Sequence, residues 1–453
     1  MTVAIKKGAF APKTREKIYS FNRFSVGGTG GAGTLVSRDT KNCDCADGVL
    51  RCGVGLRDYA VFEGGIGMPA NLPEADEFFP YANGTSIRKR GFMSTNGTPY
   101  YYDEDNAVWV KEESFSTEMK AVTAVDKTGA FHTFYIGGAG VFRQTQSGRA
   151  FCGVESALPV ACTFMGRLFF ALDGRTLAYS SAFEPYDLSE SLHGGGRIVL
   201  PSDKGEIVAL IPFAEEIYIF YERGVSVLAP SGSPRAFSVS ATEYHGGKIL
   251  SRSVASGDDG VFFLTEDGFY KYKKSGAERV GENLDFSKRP TRVRGKAVFN
   301  GKYICGFSTE DGGIRTVVLD GKSGKGYDTF TVEGLSEYRS SVLCVSALAL
   351  REFCENGELP SDSEKRKFAF VEPFGAGLKT LKRLSFTGKG KVTLGVSNGR
   401  KNKLFALDFS KNASAKIYLR GWEFSVFLQL EQGAEIRSMT AITERLQGVD
   451  YDD

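Results

Sequence analysis

A hairpin pattern that recurs along the central part of this 453-residue chain constrains its fold more than any other feature. Three segments, 166–174, 216–224 and 260–268, run from an apolar and aromatic stretch into a turn glycine, and a further apolar stretch follows each glycine. Glycine supplies the positive φ that a two-residue hairpin turn needs, and Asp-Gly is a favoured dipeptide there. Each segment therefore predicts a strand, a tight turn and a second strand.

Looser matches extend this pattern in both directions along the chain. Successive turns are 34 to 50 residues apart, and a four-stranded propeller blade needs roughly 40 to 50 residues. We therefore predict an all-β fold, mainly a β-propeller of six or seven blades, with unrelated hairpins in a sandwich or barrel as the alternative. The predicted hairpin turns are at Asn106, Gly140, Gly174, Gly224, Gly268 and Gly312.

Composition agrees with an ordered, β-rich chain of several parts. Hydrophobic residues make up 42% of the sequence, enough to bury a core, and 55 glycines suit a fold with many turns. We predict an extended N-terminal Gly-rich arm with the first strands, a propeller core, an inserted loop or linker, a C-terminal β-sandwich-like module that is separate or completes the propeller, and a flexible acidic tail. Their respective ranges are 1–60, 61–349, 350–364, 365–446 and 447–453.

Several functional classes lack support from the sequence. The 57 basic and 54 acidic residues leave a net charge of +3, which gives no overall indication of a nucleic-acid binder. The motifs GxSxG, HExxH, Walker A and the EF-hand loop do not occur, so we predict no enzymatic activity and no cofactor. Gly28–Gly33 formally matches a dinucleotide fingerprint but lacks the βαβ context. The start of the chain has no apolar leader and no run of 18 apolar residues occurs, so we predict neither secretion nor membrane insertion.

Three cysteines near the N-terminus, Cys43, Cys45 and Cys52, are close enough in sequence to suggest ligands for a soft metal. Zinc sites usually need four ligands, and the three histidines of the chain are all distant in sequence. We therefore predict no metal site and favour ordinary turn cysteines, while metal binding near these three stays the alternative. Because no secretion is expected, the eight cysteines are predicted to be free thiols.

The nearly balanced net charge conceals one strongly basic stretch, 365–403, whose only acidic residue is Glu372. In alternating strands such residues often form a solvated face and protect exposed edges, which is one interpretation. The other is a surface that contacts phosphates or an acidic partner subunit. The basic residues are Lys365, Arg366, Lys367, Lys379, Lys382, Arg383, Lys389, Lys391, Arg400, Lys401 and Lys403.

Three passages carry a resemblance to a known family: residues 35–53 with Asp47-Gly-Val-Leu-Arg-Cys-Gly53, residues 164–187 with Gly166-Arg-Leu-Phe-Phe170 and Glu184-Pro-Tyr-Asp187, and the hairpin 207–228. They resemble the tail accessory or packaged-DNA stabilisation proteins of short-tailed bacteriophages, also described as head-completion hub or tail nozzle proteins. The resemblance covers roughly residues 20–320. It departs from the family pattern at Tyr186, where Trp is more usual, and after Pro360, where no counterpart is found.

This resemblance implies a non-enzymatic virion protein, made in the cytoplasm of a host bacterium and located in the tail. It implies a ring homo-oligomer, expected to be hexameric, that extends the DNA channel below the portal and connector and retains the packaged double-stranded DNA. Tail fibre or needle proteins would attach to it. The basic stretch would then face the channel or pair with an acidic neighbour.

Three other classes are the alternatives. A receptor- or glycan-binding propeller would need a groove of exposed aromatics, for which Tyr100–Tyr102 and Trp109 are the candidates. A glycosidase-type propeller would need converging carboxylates at the channel mouth, which the sequence does not show. A WD- or kelch-type scaffold would carry the repeat signatures of those families, and the Gly-His and Trp-Asp pairing is absent from the sequence.

Overall fold

Alternating apolar residues and turn glycines produce strands almost throughout the chain. Two compact units result, one from the residues up to Val54 together with those from 365 onward, the other from Gly55 to 360. The computed structural model describes residues 14–27, 31–37, 39–59, 75–191, 194–200, 203–230, 233–273, 276–338, 341–346, 349–355, 357–360, 365–371, 373–410 and 413–446.

The first unit begins with six short strands. They are β1 (Thr14–Phe21), β2 (Arg23–Val26), β3 (Thr34–Ser37), β4 (Asp39–Lys41), β5 (Cys43–Asp44) and β6 (Leu50–Cys52).

The second unit arranges its strands in seven consecutive four-stranded antiparallel sets. The closing strand of the last set comes first in the chain, and it is β7 (Gly55–Asp58). The strands of the first three sets, with β9 beside the second set, are β8 (Ala75–Tyr81), β9 (Asn83–Thr85), β10 (Lys89–Ser94), β11 (Pro99–Asp103), β12 (Val108–Lys111), β13 (Met119–Val125), β14 (Phe131–Gly137), β15 (Gly140–Thr145), β16 (Gly148–Phe151), β17 (Ala161–Phe164), β18 (Arg167–Ala171), β19 (Thr176–Tyr179) and β20 (Gly196–Val199).

The remaining four sets follow in the same order, with one 3-10 turn at Pro234–Ala236. Their strands are β21 (Ile207–Phe213), β22 (Glu216–Tyr221), β23 (Gly224–Ala229), β24 (Ser238–Thr242), β25 (Ala255–Gly257), β26 (Gly260–Thr265), β27 (Gly268–Lys273), β28 (Gly276–Val280), β29 (Pro290–Phe299), β30 (Lys302–Thr309), β31 (Ile314–Asp320), β32 (Gly326–Thr329), β33 (Glu333–Tyr338), β34 (Ser341–Ser346) and β35 (Ala349–Cys354).

The seven sets close on themselves. Their first strands contact one another in the cyclic order β8, β13, β17, β21, β25, β29, β33 and back to β8. In the seventh set β7 pairs antiparallel with β35, so the start of the unit completes its end. Radial repetition with such a closure is the way in which a propeller avoids open strand edges. The predicted all-β fold with a β-propeller is confirmed, whereas the blade number stays a prediction with which seven sets are compatible.

The second strand of a set is the most apolar part of it. Strands β18, β22 and β26 contain only buried or half-buried residues, because neighbouring sets cover both of their faces. Phe220 packs against Phe263 of the next set with ring centroids 5.3 Å apart, and Phe262 stacks on Tyr303 of the set after that at 5.4 Å. Each fully buried aromatic side chain of this kind contributes about 2–3 kcal/mol.

The predicted turn glycines occupy equivalent places. Gly140, Gly174, Gly224, Gly268 and Gly312 all lie at the hairpin between the second and third strands of successive sets. Three of them have positive φ (Gly140 +116°, Gly268 +145° and Gly312 +82°), which favours glycine there. The predicted turn at Asn106 is wrong in register, because it lies between the third and fourth strands of its set. The equivalent turn contains Gly97, with φ +76°.

The first unit is completed by the C-terminal strands. These strands are β36 (Lys367–Val371), β37 (Lys379–Lys389), β38 (Lys391–Ser397), β39 (Asn402–Asp408), β40 (Ser414–Gly421), β41 (Ser425–Leu430) and β42 (Glu435–Leu446). One sheet has the order β40, β37, β42, with β1 and β6 along the other edge of β42, and a second joins β4, β36, β41, β38 and β39. The two sheets share one core, to which Phe24, Leu35, Phe368, Leu394 and Ile417 belong. This is the predicted sandwich-like module.

The predicted part boundaries differ from the structure at three points. Within the predicted arm 1–60, the described residues do not form a separate part, because β1 pairs along its whole length with β42 and buries Phe21 in the sandwich core. The predicted loop 350–364 begins inside β35, where Phe353 is buried. The propeller is completed by β7 rather than by the C-terminal module. Gly28–Gly30 and the tail 447–453 lie outside the described residues.

Candidate functional site

The sandwich disperses the basic stretch instead of presenting it as one surface. Six of its eleven cations are buried or held by partners in the same unit, because consecutive strand residues face opposite sides of a sheet. These six are Arg366, which is buried, Lys367 with Asp39 at 2.7 Å, Lys379 with three backbone carbonyls, Lys382 with Glu16 at 2.7 Å and Glu444 at 3.2 Å, Lys389 with Glu435 at 3.3 Å and Lys403, which donates to the Ile417 carbonyl at 2.6 Å.

The other five cations, which include Lys365, are exposed but are spread over several places in the unit. Lys391 begins β38, whereas Arg400 and Lys401 lie in the turn at the far end of that strand. Arg383 belongs to β37 in the other sheet. The structure therefore does not bring the eleven predicted residues together.

A smaller basic surface forms around Arg383 instead. Arg383 is the register partner of Lys416 on β40, and Arg420 lies further along β40 opposite Thr380. Lys416, Tyr418 and Arg420 are exposed and alternate with buried Ala415, Ile417 and Leu419, so their side chains share the outer face. We call Arg383, Lys416, Tyr418 and Arg420 the basic face.

Three members of the basic face lie outside the predicted stretch, which ended at Lys403. A strict alternation from Ser414 to Arg420 was the signal that places them on one face. Tyr418 is 59% exposed at a register shift, where β40 has one more residue than β37. An aromatic ring between two cations is the arrangement that contacts both phosphates and bases in nucleic-acid surfaces.

A second cluster of charges lines a partly open cavity at the first strands of the propeller, with a volume of about 140 Å³. All seven sets contribute to its wall, part of which is apolar. Among the residues that the structure describes, its charged lining has one carboxylate and four cations, which come from four sets, so no local sequence pattern could indicate it. These residues are Glu77, Lys120, Arg252, Arg294 and Lys296.

The charges in this cavity perturb one another. Burial alone would raise the pKa of Glu77, but its ion pair with Lys120 and the charges of Lys296 and Arg252 lower it to about 2. Burial lowers the pKa of Lys296, and the charge of Lys120 lowers it further, whereas Glu77 and Glu337 act in the opposite direction. The cavity is therefore a place where positive charges are crowded.

The cysteines of the N-terminal segment come together in part. Cys43 and Cys52 are register partners on β5 and β6, and Cys43 and Cys45 are buried. Burial is the main cause that raises the pKa of the Cys43 thiol. Within the described ranges no group of three or more His, Cys, Asp and Glu residues is arranged to hold a metal ion. The expectation of no metal stays a prediction, and His193 lies outside the described residues.

The second passage of the family resemblance runs through β18 and β19 and ends in a loop between β19 and β20 of the third set. Ser181 Oγ donates to Asp187 at 2.6 Å and closes the loop on itself. The Arg143 guanidinium, from the second set, lies 4.6 Å from the centroid of the Tyr186 ring. Tyr186 therefore packs against the neighbouring set through a cation–π contact.

The aromatics proposed for a glycan groove pack on their neighbours. Tyr100 stacks on Phe92 with centroids 4.7 Å apart, Tyr101 stacks on Tyr81 at 4.4 Å, and Tyr102 is buried against Trp109. None of these four candidate residues is fully exposed. The structure does not favour a glycan-binding platform at this place.

Comparisons with known proteins give distant structural neighbours only. No protein-family model matches the sequence, and no curated protein matches it. The WD40 propeller domain of Doa1 is 12% identical, with a TM-score of 0.44 over 67% of this chain and 97% of that domain. The WD40 repeats of RRP9 are 10% identical, with a TM-score of 0.44 over 66% and 99%.

A further neighbour is the extracellular domain of a protein from B. thetaiotaomicron that is described as a one component system. It is 9% identical, with a TM-score of 0.45 over 85% of this chain. The chain spans 58% of the length of that domain. In the part of the chain that the structure describes, no helix has the length and apolar character to cross a membrane.

Proposed function

We propose that this protein is a non-enzymatic bacteriophage virion component of the head-to-tail or tail nozzle region. In this proposal copies of the chain assemble as a ring below the portal and connector, extend the DNA channel and retain the packaged genome. The basic face is the observation that supports a role next to DNA, and the resemblance in residues 35–53, 164–187 and 207–228 supports the virion class.

The charges of the basic face suit a phosphate backbone. Lys382, on the same side of the sheet, is paired with Glu16 and Glu444, so its charge is already compensated. Arg383, Lys416 and Arg420 have no ion pair of that kind among the described contacts, and all three are exposed. Register partners lie about 5 Å apart, and residues along a strand about 3.3 Å apart, so the three cations can contact neighbouring phosphates.

DNA binding by the purified full-length chain tests this role directly. The variant Arg383→Glu/Lys416→Glu/Arg420→Glu is compared with Lys391→Glu/Arg400→Glu/Lys401→Glu, which makes the same charge change at exposed cations elsewhere in the sandwich. Binding to a short random-sequence duplex is measured by fluorescence anisotropy over a salt series. Three phosphate contacts predict a log–log salt slope of roughly −3.

We expect the basic-face variant to weaken binding by more than about tenfold and to flatten the salt slope, whereas the control variant changes affinity by less than about threefold. Equal effects of the two variants would contradict a role for the basic face. The virion class is tested separately, by the genes that adjoin this one and by mass photometry of the chain with and without the portal–connector complex from the same genome. Absence of portal, connector and terminase genes would contradict it.

A further inference from the structure

Two of the N-terminal cysteines lie directly opposite each other on neighbouring strands. Cys43 on β5 and Cys52 on β6 are register partners of an antiparallel pair. The Gly53 N–H donates to the Asn42 carbonyl at 2.9 Å, which makes Asn42 and Gly53 the hydrogen-bonded position next to the two cysteines. Because bonded and non-bonded positions alternate along an antiparallel ladder, Cys43 and Cys52 occupy a non-hydrogen-bonded position.

A non-hydrogen-bonded position suits a disulfide. Opposite Cα atoms are about 4.5 Å apart at such a position, and the Cα atoms of bridged cysteines are roughly 4.4–6.8 Å apart. The two side chains also lie on the same face of the sheet, so their sulfur atoms can bond with little movement of the backbone. Cys45 lies beyond the end of β5 at Asp44, so the ladder aligns Cys52 with Cys43 and not with Cys45.

The loop between the two cysteines is already closed by its own contacts. The Cys45 carbonyl accepts the Gly48 N–H at 3.0 Å. Arg51, at the end of the loop, forms an ion pair with Asp47 at 2.6 Å. A covalent bond between the ends of this loop therefore does not require a new loop conformation.

The two thiols differ in their access to solvent. Cys43 is fully buried, whereas Cys52 is half-buried and is therefore the thiol that an oxidant in solution reaches first. Burial is the main cause that raises the pKa of the Cys43 thiol, and Cys52 raises it further, as expected for two sulfur atoms that lie close together. All eight cysteines are free thiols in the structure, which therefore shows the reduced state of this pair.

We propose that Cys43 and Cys52 are a redox-sensitive pair that forms an intramolecular disulfide by reaction with a small-molecule disulfide such as glutathione disulfide. The Cys52 thiolate attacks one sulfur of glutathione disulfide, expels one glutathione thiolate and forms a mixed disulfide. The Cys43 thiolate then attacks the Cys52 sulfur and expels the second glutathione thiolate. The two protein thiols are oxidised, and their two electrons and two protons pass to the two glutathione molecules.

Oxidation would fasten β5 to β6, the strand that also pairs with β42 at the other end of the chain. A closed loop reduces the conformational freedom of the unfolded segment, so the disulfide should slow the local opening of these strands. A reducing cytoplasm keeps such a pair as thiols, whereas an oxidising medium favours the disulfide. The proposal does not depend on a virion role, so either one can fail without the other.

The test incubates the folded full-length chain with an excess of glutathione disulfide, alkylates the remaining thiols and maps the disulfide-bonded peptides by mass spectrometry. We expect the parent chain to lose the two thiols of Cys43 and Cys52 and to regain them after reduction with dithiothreitol. Hydrogen exchange of β5 and β6 should be slower in the oxidised chain than in the reduced chain.

Three alanine variants assign the sulfur atoms. Cys52→Ala, at the half-buried position, should remove both the disulfide and the change in hydrogen exchange. Cys43→Ala should stop at the mixed disulfide, with one glutathione attached to Cys52. Cys45→Ala is the matched control, because it removes a neighbouring cysteine and should leave the disulfide between Cys43 and Cys52 unchanged.

Three outcomes would overturn the proposal. The first is a parent chain in which Cys43 and Cys52 are still alkylated after the incubation. The second is a disulfide that persists in Cys52→Ala or is lost in folded Cys45→Ala, because Cys45 would then supply one of the sulfur atoms. The third is a parent chain that keeps glutathione on Cys52, which would show that the Cys43 thiolate does not reach the mixed disulfide.

Discussion

One buried and one half-buried lysine show how differently the two units treat a cation. Lys379 in the sandwich is 2% exposed, and its ammonium donates to the backbone carbonyls of Gly375, Trp422 and Gly377 at 2.6, 2.9 and 3.3 Å. Lys296 in the propeller faces a cavity that three other cations share, and burial lowers its pKa. The first charge is compensated by fixed backbone dipoles, whereas the second is held near charges of the same sign.

These different surroundings imply different contributions of the two charges to stability. A buried ammonium with three carbonyl partners fixes the geometry of the loops that supply them, so its role is structural. An ammonium that is desolvated near other cations costs stability, and burial and the charge of Lys120 lower the pKa of Lys296 for the same reason. Four substitutions, from the largest expected effect to the smallest, test this contrast.

The largest effect is expected for Lys379→Met. Loss of the ammonium leaves three carbonyls without their donor, so unfolding free energy should fall by about 3 kcal/mol. Urea unfolding measures this loss, and hydrogen exchange should show faster exchange in β37 and β40. The control is Lys416→Met on the neighbouring strand, with a change under about 0.5 kcal/mol. A loss below about 1 kcal/mol for Lys379→Met would show that these hydrogen bonds do not hold the loops.

Glu77→Gln should cost about 2 kcal/mol at neutral pH, because it leaves Lys120 and its neighbours without their carboxylate. The pKa of Glu77 is lowered from 4.5 to about 2, so its contribution is complete above pH 4.5 and disappears as the pH falls through about 2. The parent chain and the variant should therefore converge in stability in acid. Urea unfolding at several pH values measures this, and a pH-independent difference would contradict the ion-pair origin.

Lys296→Met should act in the opposite direction to Lys379→Met and raise the stability of the propeller by about 1 kcal/mol. The sign follows from the pKa of Lys296, which is lowered in the folded protein. Such a lysine costs stability below its folded pKa, and the cost disappears as the pH rises toward the unfolded value. The gain should therefore shrink at alkaline pH. A loss of more than about 1 kcal/mol in urea unfolding would mean that Lys296 is compensated like Lys379.

The smallest effect is expected for Lys367→Met. Its ion pair with Asp39 at 2.7 Å lies between side chains that are 43% and 52% exposed, and pairs of this kind contribute little. Unfolding free energy should change by less than about 0.5 kcal/mol. A larger change in the same urea experiment would show that exposure alone does not separate structural from dispensable cations in the sandwich.

Local features of this fold could be predicted from the sequence, because a hairpin is specified by residues that are adjacent in the chain. The turn before Gly268 is an example, where the Thr265 hydroxyl donates to the Gly268 carbonyl at 2.9 Å and the strands on both sides are apolar. The pairing of β1 with β42 could not be predicted in this way, since nothing near either strand specifies a partner at the other end of the chain.

The two charged sites differ in the same respect. The basic face could have been predicted from the sequence, because Lys416, Tyr418 and Arg420 alternate with buried residues on one strand. Counting cations along the chain predicted instead the stretch 365–403, whose basic residues lie on different faces of the two sheets. The propeller cavity could not be predicted from the sequence, because Glu77 and Lys296 approach each other only when the seven sets close into a ring. Closure of the ring brings together residues from different sets, however far apart they are in the sequence.

The pairing of β7 with β35 and of β1 with β42 has a consequence for synthesis on the ribosome. Both β1 and β7 emerge early, but β35, the partner of β7, is the last strand of the propeller to be translated, and β42, the partner of β1, follows later still. Until those partners are translated, β1 and β7 have unpaired edges, and unpaired strand edges favour association with other nascent chains. We therefore expect the sandwich to be the last unit to form, and its yield to depend on how fast translation reaches the final strand.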